Sequence, residues 1–148
     1  MARIACRLGL LALILLAPVA QAQQSQDFGD YVVHYNAFNA HLITPDVARA
    51  YGIQRSSSRA VLNITILKKV MDTPGTPVRA GVSAEATNLT GQRREIALRE
   101  IDESGGAVYY LGEFPVHNME TWRFDVQVTP EGESDPLQVR FKQQFYTE

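Results

Sequence analysis

The chain has 148 residues, of which 45% are hydrophobic and 20% are charged, and its formal net charge is −2 at pH 7. This composition fits one ordinary globular domain and excludes a disordered or fibrous protein. The mildly acidic balance, with no basic cluster along the sequence, argues against a nucleic-acid partner, because such binding needs several lysines or arginines aimed at phosphates.

The N-terminal segment, residues 1–22, predicts a cleaved signal peptide. Arg3 and Arg7 precede an apolar run, and the small residues Ala20 and Ala22 form the pattern that signal peptidase recognises. A transmembrane anchor is the alternative, but the run from residue 8 to 19 falls short of the roughly 20 residues that span a bilayer. Cys6 lies before the run and not at its end, which argues against a lipid anchor. The mature protein is therefore expected to be periplasmic or secreted, without a stable membrane anchor.

The segment after the signal, residues 23–29, is polar and predicts a flexible N-terminal arm, followed by a single domain of residues 30–148. The chain's one cysteine lies in the signal segment, so no disulfide is expected in the mature protein. A chain of this length can bury roughly two thirds of the surface that its unfolded form exposes, which is enough for an apolar core to hold it together.

Alternation of apolar and polar residues predicts seven strands, and a short helix is predicted at residues 45–51 between the first two. Thr44 can cap the helix, Pro45 suits its first position and Gly52 its left-handed end. In the fourth strand the alternation slips at Ile101, which indicates a bulge or the end of the strand. The predicted strands span residues 31–41, 60–70, 78–87, 93–102, 107–114, 121–129 and 137–146.

The last two strands form the most regular part of the pattern, an amphipathic hairpin around a polar loop at residues 130–136. Such a hairpin cannot stand alone in water, so the rest of the chain must cover its apolar face. Seven short strands with turns between them indicate an all-β fold, an immunoglobulin-like antiparallel β-sandwich. A closed barrel is the alternative.

Residues with catalytic or metal-binding chemistry do not group in the sequence. His34 and His41 fall on opposite faces of one predicted strand, and His117 lies in a distant connection, so no metal site is expected. The serines at 56–58 lack an oriented base, and the acidic residues lie mainly in predicted turns, where carboxylates stay ionised. The protein is expected not to be an enzyme and to need no cofactor. A hydrolase is the least favoured hypothesis.

The irregular stretch at residues 34–58 is the candidate binding region, because aromatic, amide and imidazole side chains concentrate there. These groups can line a binding surface, or they can satisfy backbone groups of the helix and of a crossing between sheets. The candidate binding residues are His34, Tyr35, Asn36, Phe38, Asn39 and Arg55.

Two binding functions are consistent with this stretch. In the first, the protein is an interaction module for another envelope protein, which adds a strand at a sheet edge or contacts the face that carries His34, Asn36 and Phe38. In the second, a small ligand or glycan lies in a groove near residues 34–56, with Tyr109 or Tyr110 as a stacking platform.

One arrangement of residues resembles a known family. The run from His34 to Asn39 (HYNAFN) is followed by Tyr51-Gly52-Ile53, by Arg55-Ser56 and by Leu62-Asn63-Ile64. This arrangement resembles the proteobacterial family known as domain of unknown function 4426, and the resemblance covers the whole mature chain. It implies a periplasmic or secreted Gram-negative protein with an immunoglobulin-like sandwich. The family has no established activity, so it implies no catalytic residue.

Overall fold

The computed structural model describes residues 24–148, in which two antiparallel sheets pack face to face. The predicted signal segment, residues 1–22, lies outside the described residues. No helix in the described part of the chain combines the length and the apolar character that crossing a membrane requires. The helices are the 3-10 helix η1 (Ala40–Leu42) and α1 (Pro45–Tyr51). The strands are β1 (Gln24–Asp27), β2 (Tyr31–Asn39), β3 (Arg59–Lys68), β4 (Thr76–Pro77), β5 (Ala80–Asn88), β6 (Arg93–Ile96), β7 (Arg99–Asp102), β8 (Val108–Pro115), β9 (Glu120–Pro130) and β10 (Leu137–Phe145).

The strand order confirms the predicted immunoglobulin-like sandwich. The large sheet runs β1-β2-β3-β8-β7, with β4 also paired to β3, and the small sheet runs β10-β9-β5-β6. The strands β2, β3, β8 and β7 of the large sheet and the four strands of the small sheet follow the order of an immunoglobulin domain, and β1 is an additional edge strand. The two sheets are separate, so the closed-barrel alternative is excluded.

The main core lies between the sheets and is built by period-two alternation on each strand. On β9 the residues Trp122, Phe124, Val126 and Val128 are all buried, while their neighbours are less buried or exposed. The predicted C-terminal hairpin is present, with β10 pairing along β9 from Leu137 opposite Val128 to Phe145 opposite Glu120. This hairpin forms half of the small sheet.

The predicted helix at residues 45–51 is confirmed as α1, together with its caps. The Val47 amide donates to Thr44 Oγ1 at 3.5 Å, and Gly52 closes the helix in the left-handed region at φ 64°. The helix lies outside the sandwich and buries Ala48 in a second apolar cluster on the outer face of the large sheet. Residues 40–53 therefore cover part of a sheet face that would otherwise be open to solvent.

The predicted fourth strand, residues 93–102, is two strands in different sheets. β6 pairs with β5 in the small sheet, and β7 pairs with β8 in the large one. Ala97 and Leu98 cross between the sheets directly over Gly112 of β8, where a Cβ atom would meet the Ala97 carbonyl oxygen at 2.9 Å. The glycine makes room for the crossing, so a continuous strand is replaced by a change of sheet.

The predicted flexible arm at residues 23–29 contains a strand instead. Residues 24–27 form β1, which pairs with β2 from Gln24 opposite Tyr35 to Asp27 opposite Val32. All four side chains are exposed, so the segment has no apolar alternation from which a strand could be predicted. Backbone hydrogen bonds to β2 and an ion pair between Asp27 and Lys69 hold the strand at the sheet edge, and that ion pair lowers the pKa of Asp27.

Candidate functional site

The candidate binding residues on β2 divide between the two faces of the large sheet, because side chains alternate along a strand. His34, Asn36 and Phe38 lie on the outer face, while the side chains of Val33 and Ala37 point to the inner face and are buried in the main core. Tyr35 packs against the main core as well, and its ring lies 4.6 Å from the ring of Phe141 on β10. Only the outward-facing set can meet a ligand on this side.

Four polar side chains form a block at the centre of this outer face. Asn36 pairs with Asn63 on β3, and His34 pairs with Thr65, so the four occupy two adjacent rows of two strands. The Nδ1 atom of His34 and the Oδ1 atom of Asn63 are buried, and neither has a hydrogen-bond partner within residues 24–148. A buried polar atom without a partner costs about 1–3 kcal/mol. The block therefore holds two polar atoms whose hydrogen-bonding capacity is not used within residues 24–148.

An apolar pocket of about 210 Å³ adjoins the polar block, between α1 and the outer face of the large sheet. We call it the helix pocket. Asn63 supplies the amide in its wall, and Val47 of α1 lies at its rim with 42% of its surface exposed. The lining residues are Phe38, Ile43, Val47, Tyr51, Ile53, Val61, Asn63, Tyr109 and Leu111.

Two of the candidate residues hold the chain together. Asn39 is buried, and its Nδ2 donates to the carbonyl oxygens of Ser57 at 2.9 Å and Tyr146 at 3.0 Å. Arg55 donates from Nε to the Ile43 carbonyl oxygen at 2.7 Å and from Nη2 to the His41 carbonyl oxygen at 3.1 Å. They satisfy backbone carbonyl groups of the β2–β3 connection and of the C-terminal segment, which is a structural role. The expected crossing between sheets is absent from this connection, because β2 and β3 are neighbours in one sheet. Tyr35, Asn39 and Arg55 do not converge on a groove.

The two tyrosines considered as stacking platforms also face opposite ways. Tyr109 lines the helix pocket. Tyr110 is buried in the main core, where its hydroxyl accepts from the Ala80 amide at 2.8 Å and so joins the two sheets. Burial raises the pKa of Tyr110, and the carboxylate of Glu100 acts in the same direction. Tyr109 is thus the one of the pair that a ligand in the pocket can contact.

Sequence reasoning missed Asn63, Thr65, Val47 and Leu111 as members of the site. The first two look like the polar side of an ordinary strand, and Leu111 looks like core. Their membership follows from register, which places Asn63 between Asn36 on one side and Leu111 on the other. No local sequence pattern marks these residues as members of the site, because the site is formed by three strands that are far apart in sequence.

A family model described as domain of unknown function (DUF4426) matches residues 25–148. The chain belongs to this family. A crystal structure of a DUF4426 family protein from Pseudomonas aeruginosa PAO1 is 35% identical in sequence, with a TM-score of 0.73 over 86% of this chain and 97% of that chain. No functionally curated protein matches the sequence. The DUF4426 match begins within β1, so this edge strand is part of the family's domain.

Proposed function

We propose that this DUF4426 protein is a non-enzymatic interaction module of the bacterial envelope, which binds a protein partner by inserting one apolar side chain of that partner into the helix pocket. The observation that carries the proposal is an apolar pocket lined by Asn63, whose Oδ1 is buried and has no hydrogen-bond donor among residues 24–148. The N-terminal pattern at residues 1–22 supports an envelope location, since it is typical of a signal peptide.

The size of the helix pocket favours a side chain over a whole ligand. Pockets for drug-sized molecules and cofactors are about 300–1,000 Å³, whereas the helix pocket measures about 210 Å³. Binding energy at protein interfaces concentrates in a few anchors that fill such pockets and exclude water. One leucine-sized or aromatic side chain contributes about 1.5–3 kcal/mol when it is fully buried.

The polar block gives the partner its orientation. A backbone amide next to the anchor can donate to Asn63 Oδ1, and a second donor or acceptor can pair with His34 or Asn36. A bond to Asn63 Oδ1 or to His34 Nδ1 removes the cost of a buried atom that has no partner among residues 24–148. The exposed Val47 at the rim adds apolar area around the anchor. An extended peptide with one apolar residue thus fits both the pocket and the block.

A selection of short peptides displayed on phage tests this proposal. We expect the selected peptides to share one large apolar residue and to shift the NMR signals of Phe38, Asn63 and Leu111 in a saturable way. Val47→Trp places an indole at the rim of the pocket and should abolish binding. The matched control is Ala50→Trp, which adds the same side chain to an exposed helix position outside the pocket.

Two results would contradict the proposal. One is a set of peptides that binds Val47→Trp as tightly as the unmodified protein. The other is a set in which no apolar residue recurs. Saturable binding of a free monosaccharide at Tyr109, with no response to peptides, would instead favour the glycan alternative.

A further inference from the structure

The outer face of the small sheet, on the opposite side of the molecule from the helix pocket, carries a row of cations. Arg93 on β6 pairs with Thr87 on β5, Thr87 pairs with Arg123 on β9, and Arg123 pairs with Lys142 on β10. Neighbouring strands lie about 4.8 Å apart, so these four residues cross the sheet in one line. We call this line the basic row.

Two members of the basic row have no anionic partner in the part of the chain that the structure describes. Arg93 is held by Glu85 at 3.3 Å, but neither Arg123 nor Lys142 has a carboxylate within 4.0 Å among residues 24–148. Both are exposed, and they stand directly opposite each other on adjacent strands. Like charges in directly opposite positions destabilise a sheet. The free protein therefore carries an unfavourable pair that an anion would relieve.

The acidic residues of the same face lie in the next row of the sheet, where Glu95, Glu85 and Asp125 occupy paired positions. Glu85 binds Arg93, and Asp125 binds Arg140 at 3.2 Å and also accepts from Gln138. Glu95 lies on β6, two strands away from Arg123 and three strands away from Lys142. The carboxylates nearest to Arg123 and Lys142 are therefore paired with other residues.

The basic row lies in a surface depression of about 510 Å³. Its lining holds four basic residues against two acidic ones, although the chain as a whole has a net charge of −2. This local excess of positive charge is the reverse of the overall balance. Charges of one sign gathered in a concavity raise the local concentration of the opposite ion.

We propose that the basic row is an oxyanion-binding site for a phosphate-type group. A guanidinium offers two parallel donors to an oxyanion, and an ammonium adds a compact charge. Arg123 and Lys142 bind the oxygens from adjacent strands, the Thr87 hydroxyl donates from the other side of Arg123, and Arg93 closes the row. This site is independent of the helix pocket, and the failure of one proposal leaves the other standing.

Titration of the purified protein with pyrophosphate, followed by NMR, tests the site at low salt. We expect saturable shifts at Thr87, Arg123 and Lys142, and about tenfold weaker binding in Arg123→Gln or Lys142→Gln, because hydrogen bonds to charged groups are the strong ones. The matched control is Lys68→Gln, which removes one exposed positive charge from the large sheet.

Thermal unfolding separates this role from a structural one. Removing one of two opposed cations should leave the melting temperature unchanged or raise it, while binding falls. A lower melting temperature in both Arg123→Gln and Lys142→Gln would show that these cations stabilise the sheet, and it would overturn the proposal.

Vesicles distinguish a lipid phosphate from a soluble one. Binding to phosphatidylcholine vesicles that contain phosphatidylglycerol, if it is lost in Arg123→Gln, would assign the site to a lipid headgroup. Binding to pyrophosphate without binding to these vesicles would assign it to a soluble oxyanion. No saturable binding of either probe, or equal loss of binding in Lys68→Gln, would overturn the proposal.

Discussion

Replacement of Gly112 by alanine tests the crossing that divides β6 from β7. Gly112 lies in β8 beneath the crossing, and it is buried. A Cβ atom there would lie 2.5 Å from Ile96 Cγ2, 2.9 Å from the Ala97 carbonyl oxygen and 2.9 Å from Leu98 Cδ2. Carbon atoms in favourable contact are about 3.5–4.0 Å apart, so the added methyl group needs close to 1 Å more room.

The expected cost follows from which neighbours can move. The side-chain ends of Ile96 and Leu98 can change rotamer, but the Ala97 oxygen belongs to the backbone of the crossing. The crossing must shift as a whole, or β8 must move away from β7. Extra volume in a packed core costs about 1–3 kcal/mol, and the backbone contact places Gly112→Ala near 3. For a domain of this size that loss corresponds to a fall of about 10 °C in melting temperature.

Gly81→Ala is the matched control, measured beside Gly112→Ala by urea unfolding. Gly81 lies in strand β5 with no atom within 4 Å of its added Cβ. Alanine there should be neutral or stabilise by about 0.5–1 kcal/mol, because glycine is unfavourable inside a strand. If the two variants differ by less than about 1 kcal/mol, the chain does not cross closely over Gly112.

Three further changes test other parts of the fold. Trp122→Ala removes a side chain that is 2% exposed and should cost about 3–5 kcal/mol, and a loss below about 1 kcal/mol would place the ring at the surface. The raised pKa of Tyr110 means that unfolded tyrosine ionises first, so stability should fall as the pH rises above about 10. Tyr110→Phe should reduce that fall. If urea unfolding between pH 8 and 11 shows the same decrease of the unfolding free energy with pH in both proteins, this prediction is wrong. Asn63→Leu should leave the free energy of unfolding unchanged or raise it, since it removes an unpaired acceptor, and a loss above about 1 kcal/mol would mean that Asn63 has an internal partner.

Local rules predicted most elements of the fold because local interactions determine them. Helix α1 has its capping threonine, its first-turn proline and its terminal glycine in sequence, and all three act as expected. The alternation of β9 is equally local. The division between β6 and β7 shows in the sequence only as the slip of the alternation at Ile101, which does not place it, because residues on both sides favour a strand. What separates them is the space above Gly112, which comes from another part of the chain.

The binding sites can be predicted only when the register between strands is known, whereas the strands can be predicted without it. Parity along β2 is enough to place His34 and Phe38 on one face, but the pairing of Asn36 with Asn63 spans a helix and a loop. The basic row is harder still to predict, because its cations come from three strands and are dispersed in the sequence between Arg93 and Lys142. The sequence contains no basic cluster, but these cations lie next to one another in the folded sheet.

The two proposed sites share a physical signature that separates them from the core. At Trp122 and Gly112 the fold is fully packed, so a substitution removes stabilising contacts or adds a clash. At Asn63 and at the pair of Arg123 and Lys142, residues 24–148 supply no partner for a buried acceptor and for two cations. Such groups cost stability in the free protein, and a bound ligand would offset that cost. Substitutions at these sites should therefore lower binding without lowering stability, whereas those in the core lower both.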